Sequence, residues 1–377
     1  MADSYRRFEE FLEGKIAVDI PRIVPRVCGI CPISHALASC KANENALGIR
    51  ITQAAQGLRR LMLLCEIIKS HTVHTCFMMM PDLDCIELQT QKELALNALE
   101  LVKVCDDITR TLAGRSIHPL NCLVGGMSKH LDHHDRQILE QKVRKGLQRA
   151  IWMQKELSIM EDKEENELSD SDKVYMGLQK AGEANFYDGD LRLVNNDESL
   201  NVVFSVEDYK EFLVTNSNDK LVFRDNKQLL VGPVARSRIG SHSSGNKAQI
   251  ESKDFTAVAT RLRLNEVISC LTEAQELLSI AKLSSSDIRV PVEAPTGRGV
   301  GVVEAPRGTL IHDYEFKKGY VEKAHLLVPT SFNLSSMETH ANTVLRKLHG
   351  KLVRKLAESC AKKAIRAFDP CISCLDA

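Results

Sequence analysis

The sequence predicts a mainly helical α+β fold, in which a helical body carries small β excursions and has irregular, metal-carrying ends. Three observations predict it. Apolar residues recur at helical spacing over much of the chain, short β-prone pieces cluster in residues 185–250, and a Cys-x-x-Cys pair lies near each end. Because 377 residues can bury a large core, we expect a single domain over residues 1–377, with 185–250 as a β-rich excursion within it.

Five stretches show the apolar periodicity of helices. They cover roughly residues 51–80, 88–113, 132–160, 254–283 and 336–366. The last stretch is long and basic, and it leads the chain to the second cysteine pair. The first 50 residues look irregular, because Pro21, Pro25 and Pro32 interrupt regular elements and Gly29 allows a tight turn.

Two regions have strand character. Short β-prone pieces at 191–194, 202–204 and 220–223 are separated by turns rich in Asn, Asp and Gly, which indicates a small sheet. Residues 288–333 are rich in Pro and Gly and predict further short strands.

The charge balance excludes several classes of partner. Lys plus Arg and Asp plus Glu both number 50, so the formal net charge is zero and neither nucleic acid nor an anionic membrane is expected as the main partner. No run of 18 apolar residues exists, so we expect no direct membrane span. The N-terminus lacks the apolar core of a signal peptide. Together with cysteines paired as Cys-x-x-Cys, this predicts a reducing, cytoplasmic location.

The two cysteine pairs are the most informative feature. Cys28 and Cys31 form the first pair and are followed by His35, whereas Cys371 and Cys374 form the second pair next to the C-terminus. Four thiolates are soft ligands that suit zinc, iron or nickel. A local zinc knuckle places its two pairs within a few tens of residues. These pairs lie across almost the whole chain, so the pattern indicates either a buried catalytic metal or a zinc staple joining the two ends.

Several further segments must be explained together with the cysteines. In chain order the set reads RVCGICPISH at 26–35, GRSIHP at 114–119 followed by Gly125 and Gly126, EAPRGTL at 304–310, VPTSFN at 328–333, and DPCISC at 369–374. This ordered set resembles the large, catalytic subunit of the [NiFe]-hydrogenases, from about residue 5 to the last residue. It is most similar to the cytoplasmic, multimeric branch, which includes nicotinamide-, deazaflavin- and heterodisulfide-linked enzymes. The resemblance implies reversible cleavage of H2 into protons and electrons.

The resemblance also implies a role for each cysteine. Cys28 and Cys371 would be terminal ligands of nickel. Cys31 and Cys374 would bridge nickel to an iron that also carries carbon monoxide and cyanide. A terminal thiolate such as Cys371 would accept a proton when H2 splits. His35 would donate a hydrogen bond to a bridging sulfur, and its alternative role is that of a turn cap.

Other residues would surround the metals. Arg307 would donate hydrogen bonds to a cyanide ligand, as would Thr330 or Ser331, which follow Pro329. Asp369, which lies close to Cys371 in the sequence, would orient Arg307 through a charge pair. The alternative for Arg307 and Asp369 is an ordinary buried ion pair.

Three features depart from the family pattern. The usual Arg-x-Glu-Gly-His segment, whose glutamate takes protons from the nickel site, is not found before Ser4. Either another chain supplies this strand, a different proton path serves, or turnover is impaired. Ala377 stands where the family has a histidine that, with a glutamate matching Glu9, binds a third metal, Mg or Fe. The expected place of this third site is near Glu9 and the C-terminus, where Ala377 itself cannot ligate a metal. The end at Ala377 is either processed or encoded.

The resemblance implies partners as well. The chain has no spare Cys-x-x-Cys run for an iron–sulfur cluster, so an iron–sulfur small subunit is expected to bind near the first cysteine pair, with further electron-transfer subunits beyond it. Two alternatives to an active hydrogenase stay open. One is a metal-bearing but slow, sensory or non-catalytic relative in a redox complex. The other is a zinc-stapled structural subunit.

The remaining histidines and cysteines predict little chemistry. His71 and His74 are expected in the core or an interface, and His118 is either a core histidine or part of the site. His130, His133 and His134 lie in a polar stretch and are expected at the surface. The other eight cysteines are expected to pack as small apolar side chains or to lie at the surface.

Overall fold

Helices form the body of the protein, as predicted. A computed structural model describes residues 7–79, 86–158, 168, 173–197, 199–218, 220–240, 254–348 and 354–375. Its helices are Arg7–Leu12 (α1), Ile20–Ile23 (α2), Pro32–Leu47 (α3), Gln53–Val73 (α4), Leu88–Ala113 (α5), His133–Leu157 (α6), Pro233–Ile239 (α7), Phe255–Ser279 (α8), Pro329–Leu348 (α9), Arg354–Ala367 (α10) and Ile372–Leu375 (α11). A π-helical turn, His74–Met78, follows α4. Within this part of the chain, no helix combines the length and the apolar character needed to cross a membrane.

Twelve strands are seen in the described residues. They are Cys122–Leu123 (β1), Gly126–Met127 (β2), Lys173–Lys180 (β3), Glu183–Ala184 (β4), Asp190–Asn195 (β5), Asn201–Phe204 (β6), Leu213–Thr215 (β7), Leu221–Phe223 (β8), Gln228–Leu230 (β9), Gly297–Ala305 (β10), Gly308–Lys317 (β11) and Tyr320–Leu327 (β12). The predicted α+β class is therefore confirmed.

The body is a group of long helices that pack side by side. α4 packs on α5 and α8, and α6 packs on the same two helices. Three of them begin at a side-chain cap: Thr52 Oγ1 accepts from Ala55 N at 3.2 Å, Asp132 accepts from Asp135 N at 2.7 Å, and Asp254 accepts from the start of α8. These caps and the apolar stripes explain why the periodicity predicted α4, α5, α6 and α8.

The prediction of an irregular N-terminal region was wrong for residues 32–47, which form α3. Pro32 lies in the first turn of this helix, where its missing N–H is not needed. Most of α3 is buried on all sides, from Pro32 through Glu44 with the exception of Lys41. A helix surrounded by protein has no polar stripe, so its sequence lacks the amphipathic pattern that predicts helices.

The predicted single helix over 336–366 was also wrong. The region forms two helices, α9 and α10, which pack against each other, and residues 349–353 between them lie outside the described residues. α9 begins earlier than predicted because Pro329 stands at its first turn, a favoured position for proline.

The β-rich excursion begins earlier than predicted. Its main sheet has the order β4-β3-β5-β6, with β9 parallel to β3, so strands extend from Lys173 to Leu230 rather than starting at 185. The predicted segment's last residues, 241–250, lie outside the described residues. A second, antiparallel sheet has the order β10-β11-β12, and its strands have eight to ten residues, longer than the short strands expected for 288–333.

Two glycines let α3 lie directly on the second sheet. A Cβ at Gly301 would come within 1.9 Å of the carbonyl oxygen of Ala38, and one at Gly299 within 2.0 Å of that of Ala42. Both glycines are in β10, so α3 and β10 approach backbone to backbone. This contact sets the position of α3, whose N-terminal end follows the first cysteine pair.

We predict that Gly301→Ala separates α3 from β10 and destabilises the protein. Overpacking a filled core costs about 1–3 kcal/mol, and a contact with rigid backbone belongs at the upper end of this range. The free energy of unfolding from urea denaturation of the full chain measures the effect. Gly240→Ala is the matched control, because its Cβ would meet no atom closer than 3.5 Å. Equal stability of the two variants would contradict the prediction.

A buried histidine predicts a loss of stability in acid. His340 in α9 packs against the rings of Phe255 and Phe368, and burial lowers its pKa to about 4. In the unfolded chain it takes up a proton below about pH 6.5. In the folded state His340 stays unprotonated until about pH 4. The contribution of His340 to the free energy of unfolding is therefore fully present above about pH 6.5 and is lost as the pH falls to about 4.

We expect His340→Gln to flatten this dependence. Between about pH 6.5 and pH 4 the free energy of unfolding falls in both proteins. We expect the fall in the variant to be about 3 kcal/mol smaller than in the unchanged chain. Urea denaturation at several pH values measures the slope. His133→Gln serves as the control, because His133 is exposed and should leave the slope unchanged. A slope that His340→Gln does not alter would refute the assignment.

Candidate metal centre

The fold brings the two cysteine pairs together. Cys28 Sγ lies 3.4 Å from Cys371 Sγ, and Cys31 Sγ lies 3.4 Å from Cys374 Sγ, although 343 residues separate the members of each contact. The sulfurs of Cys28, Cys31 and Cys374 all lie within 4.8 Å of one another. All four side chains are buried, with 1–4% of their surface exposed. These four thiols are called the thiol cluster below.

Helix ends position the thiol cluster. Cys31 stands immediately before α3, and the backbone N–H groups of Ile30 and Cys31 donate to Cys28 Sγ at 3.3 and 3.4 Å. On the opposite side, Cys371 N donates to Thr330 Oγ1 in the first turn of α9 at 3.0 Å. Cys374 is in the short helix α11. Each pair is therefore held by a different part of the fold.

The thiols influence one another's protonation. Hydrogen bonds from neighbouring thiols, that of Cys31 first, lower the pKa of Cys28 to about 6, and those from Cys28 and Cys31 lower the pKa of Cys371 as well. Bonds within the cluster, those with Cys28 first, raise the pKa of Cys31 and Cys374, which act mainly as donors. A cation bound by the cluster would displace the remaining thiol protons, because the thiolate is the form that ligates a metal.

Arg307 and Asp369 form a buried pair beside the thiol cluster. Arg307 lies in the two-residue turn between β10 and β11; its Nη2 donates to Asp369 Oδ1 at 2.7 Å and its Nε to Asp369 O at 2.5 Å. Nη1 donates to Ser70 Oγ at 3.3 Å. Asp369 has a φ of 53°, a left-handed conformation that turns both its carbonyl and its side chain to Arg307. The sequence placed these two residues together correctly.

One carboxylate oxygen of Asp369 is free to accept a further hydrogen bond or to face a cation. His74 Nε2 lies 3.8 Å from Oδ1 and binds Arg366 O at 2.9 Å, while Oδ2 is buried without a hydrogen-bond partner among the described residues. A negatively charged oxygen left unpaired this close to the thiol cluster needs a further positive or protic neighbour. A bound cation or a protonated ligand would meet that need.

The two hydroxyls after Pro329 have different surroundings. Thr330 is buried and its oxygen accepts from Cys371 N, so its own proton remains available to a ligand of the cluster. Ser331 donates its proton to Val328 O at 2.6 Å. Pro329 begins α9 and places both hydroxyls on its first turn.

His35 lies against the thiol cluster. It is fully buried in α3, and its Nε2 lies 3.7 Å from Cys374 Sγ. Burial lowers its pKa to about 4, so the imidazole is neutral near pH 7. A neutral ring with a proton on Nε2 can donate to this sulfur.

Glu9 lies apart from the thiol cluster. Its Oε1 accepts from Leu326 N at 2.6 Å and lies 3.2 Å from His325 Nδ1. The sequence did not single out His325. Ala377, the other position named for a third metal, lies outside the described residues. A third cation at Glu9 stays a prediction.

The other histidines divide into buried and exposed groups. His71 and His74 are buried, and His71 Nε2 lies 2.8 Å from Glu266 Oε2. His118 Nδ1 bonds to Pro25 O at 3.0 Å. His130, His133 and His134 are exposed, as predicted.

Sequence reasoning missed several buried polar groups near the thiol cluster. Glu66 in α4 accepts from Ile33 N at 2.7 Å and from Ser34 N at 2.9 Å, so it caps the helix that follows the first cysteine pair. Burial raises its pKa to about 8, although these donors act in the opposite direction. A carboxylate inside the apolar stretch of α4 was the available signal. His312 was also missed, although it lies two residues beyond the predicted segment 304–310.

A cavity of about 210 Å³ connects this region to the surface. Arg307 and Asp369 line its inner side, and Ile30, Met78 and Ile117 line it where their side chains are about half exposed. A small apolar molecule can thus reach the neighbourhood of Arg307.

Comparisons with known proteins agree with this geometry. The family model for nickel-dependent hydrogenases matches residues 6–95 and 250–375. The chain is 34% identical to the vhu F420-non-reducing hydrogenase subunit of Methanococcus voltae, covering 88% of each chain. It is 31% identical to an F420-non-reducing hydrogenase subunit of Methanothermobacter marburgensis, covering 98% of this chain and 86% of that one.

Solved structures are similar as well. An NAD+-reducing [NiFe]-hydrogenase in the H2-reduced state matches with a TM-score of 0.89 at 25% identity, covering 99% of this chain and 91% of that one. The Ni-Fe-Se hydrogenase from D. vulgaris Hildenborough shares the fold, with a TM-score of 0.76 at 20% identity, covering 99% of this chain and 92% of that one. The resemblance drawn from the motifs is thereby confirmed: the chain belongs to the nickel-dependent hydrogenase family, as a large subunit of the [NiFe] type.

Proposed function

We propose that the thiol cluster holds one nickel and one iron, and that the chain catalyses the reversible conversion of H2 into two protons and two electrons. The observation that carries the proposal is the meeting of Cys28 with Cys371 and of Cys31 with Cys374 in a buried site. Cys28 and Cys371 would hold the nickel as terminal ligands, and Cys31 and Cys374 would bind both the nickel and the iron.

The residues present suit such a pair of metals. Four thiolates are soft donors that favour nickel and iron in low oxidation states. The sulfurs of Cys28, Cys31 and Cys374 are close enough for two neighbouring ions to share some of them as ligands. The two thiols with raised pKa, Cys31 and Cys374, would release their protons when a metal binds. The unpartnered oxygen of Asp369 leaves room for an added charge or proton nearby.

When bound, the nickel–iron pair supplies the Lewis acidity and the electron acceptor that H2 cleavage requires. The protein's own part is to take the proton and to fix the surrounding charges. Cys371 is the proposed proton acceptor, because the family resemblance makes it a terminal thiolate of the nickel, and Ser373 Oγ lies 3.4 Å from its sulfur. A thiolate bound to one metal would keep lone pairs that can take a proton.

Arg307 is proposed to hold a fixed positive charge over the site. Asp369 occupies its Nε and Nη2, and Ser70 contacts Nη1, so the guanidinium is held in one orientation. The remaining N–H groups of Arg307 and the hydroxyl of Thr330 are the proposed donors to cyanide on the iron. The iron would carry carbon monoxide as well. Ser331 is a weaker candidate donor to cyanide, because its hydroxyl already donates a hydrogen bond to Val328 O.

An iron–sulfur small subunit is proposed to take up the electrons that this chain releases. The surface where it would dock is the apolar rim formed by Ile30, Met78 and Ile117, which expose 45%, 55% and 44% of their surface around the cavity. Ile30 lies between the first two cysteines, so a cluster bound here would be near the metals.

Further subunits are proposed to carry the electrons onward. The relatives named above are F420-non-reducing hydrogenases, which favours an electron acceptor other than the deazaflavin F420.

Eleven described cysteines are free thiols, which suits a reducing compartment and supports a cytoplasmic location. A third cation, Mg or Fe, is proposed at Glu9, where His325 offers a nitrogen 3.2 Å from its carboxylate.

Metal content tests the proposed site. We expect protein isolated with its own maturation factors to contain nickel and iron and to show infrared bands of iron-bound carbon monoxide and cyanide. Cys371→Ala should lose nickel and lower H2-dependent dye reduction by more than about 100-fold, because changes to the groups around a metal's ligands already cost about 10- to 100-fold. Cys360→Ser is the matched control, since this half-buried thiol in α10 lies outside the cluster. Zinc without nickel in the unchanged protein would favour a structural staple instead.

Co-isolation tests the proposed docking surface. Ile117→Asp should weaken the binding of the iron–sulfur partner by about tenfold or more, because a carboxylate would be buried in an apolar contact. Ile151→Asp is the control, because Ile151 is 51% exposed on α6, away from the rim. Pull-down of the small subunit with the tagged chain measures both, and nickel content confirms that each variant is folded. Equal recovery in the two variants would place the small subunit elsewhere.

A further inference from the structure

We propose that His312 and Tyr314 are positioning residues that set the tautomer of His35, so that His35 donates a hydrogen bond to the sulfur of Cys374. The proposal rests on the proposed function in one respect: Cys374 is taken as a metal-bound thiolate. Neither His312 nor Tyr314 lies in the motif segments that predicted the metal centre.

The observation is a continuous chain of contacts. From Cys374 Sγ it runs 3.7 Å to His35 Nε2, then 3.0 Å from His35 Nδ1 to His312 Nε2, and then 2.6 Å from His312 Nδ1 to Tyr314 Oη. Each imidazole uses both of its nitrogens within the chain. Two separate elements supply the members, because His35 is in α3 and the other two are in β11.

The donors can be ordered from chemistry alone. A metal-bound thiolate only accepts hydrogen bonds, so His35 Nε2 must carry the proton that faces it. A neutral imidazole has one donor and one acceptor, so His35 Nδ1 accepts and His312 Nε2 donates to it. By the same rule His312 Nδ1 accepts, and the hydroxyl of Tyr314 is its donor. The phenol at the far end thereby stabilises the tautomer of His312 that donates to His35, and with it the proton on His35 Nε2.

The surroundings keep both imidazoles neutral. His35, His312 and Tyr314 are fully buried. Burial lowers the pKa of His312 and raises that of Tyr314, so neither is charged near pH 7. His35 therefore has a neutral imidazole as its partner on Nδ1.

The neighbours of Tyr314 leave its proton to His312. Its ring lies in an apolar cluster with Leu12 and Ile20. Ser39 Oγ is buried without a hydrogen-bond partner among the described residues, so it does not take the phenol proton. The hydroxyl of Tyr314 instead lies 2.6 Å from His312 Nδ1.

A hydrogen bond to a metal-bound sulfur changes the electronics of the metals. It withdraws electron density from the thiolate and so from the iron, and such bonds are among the factors that set the potentials of thiolate-bound iron. His312 and Tyr314 would thus tune the site without touching it. A misoriented His35 would present a lone pair to the sulfur and repel it.

Infrared spectroscopy of the purified complex tests the proposal. Tyr314→Phe keeps the ring and removes only the hydroxyl. Without that donor, His312 can hold its proton on Nδ1, and His35 then turns its unprotonated Nε2 to Cys374. We expect the iron-bound carbon monoxide and cyanide bands to move to lower wavenumber, or a second set to appear there, because the sulfur and the iron regain electron density.

A second buried phenol provides the control. Tyr209 is also buried, and its hydroxyl bonds to Asp313 Oδ2 at 2.9 Å rather than to a histidine. Tyr209→Phe should leave the bands where they are. Unchanged bands in Tyr314→Phe, or an equal shift in Tyr209→Phe, would overturn the proposal.

Substitutions at His312 make the test independent of one variant. Glutamine can offer an amide N–H to His35 Nδ1 without help from Tyr314, whereas leucine cannot. His312→Gln should therefore keep the original bands, and adding Tyr314→Phe should shift them no further, so the two changes are non-additive. His312→Leu should show the shift. If Tyr314→Phe fails to load metal, the contrast between glutamine and leucine decides, and identical bands in these two variants would reject the proposal.

The outcomes also separate this inference from the proposed function. Unchanged protein without nickel and without the infrared bands would refute the metal site itself. Unchanged protein with the bands, and variants that leave them in place, would refute only the role of His312 and Tyr314.

Discussion

The structure depends on one constraint, which is that residues 28–31 and 371–374 must meet. Both segments are short, and polar contacts to other elements of the fold hold each of them in place. Glu66 binds the first turn of α3, Thr330 binds Cys371 N, and Arg307 binds Asp369 O. Because these groups are buried, losing any one of them would leave an unsatisfied donor or acceptor, which costs about 1–3 kcal/mol. The thiol cluster is therefore positioned by the same bonds that close the fold.

Close backbone packing makes this arrangement rigid. Gly299 and Gly301 bring β10 onto α3, and the turn that follows β10 carries Arg307. Arg236 further fixes that turn, because it donates to Ala305 O and Pro306 O at 3.2 Å. The helix that follows the first cysteine pair and the hairpin with the arginine thus form one unit. Precise placement of this kind is what a site needs when its charges must be oriented before the reaction begins.

The electrostatic design separates charged groups from neutral ones. Arg307 and Asp369 form a buried ion pair, in which Arg307 Nη2 lies 2.7 Å from Asp369 Oδ1. The histidines around the cluster stay neutral because burial lowers their pKa, so they act through hydrogen bonds rather than charge. Glu66 differs from these histidines, because burial raises its pKa to about 8 and so brings it close to neutral pH.

The sequence by itself determined the helical body, the family and the pairing of the two cysteine motifs, because amphipathic stripes and spaced Cys-x-x-Cys motifs are visible without a structure. The 88–113 helix was predicted with its observed bounds for this reason. Only the tertiary structure decided the parts that are buried on all sides. α3 has no polar face to reveal it, and α9 and α10 stand where the periodicity predicted one helix. Glu66, His312 and Tyr314 look like ordinary polar residues in sequence, and their importance comes from neighbours up to 277 residues away. Chain folding sets such long-range distances, and no local pattern records them.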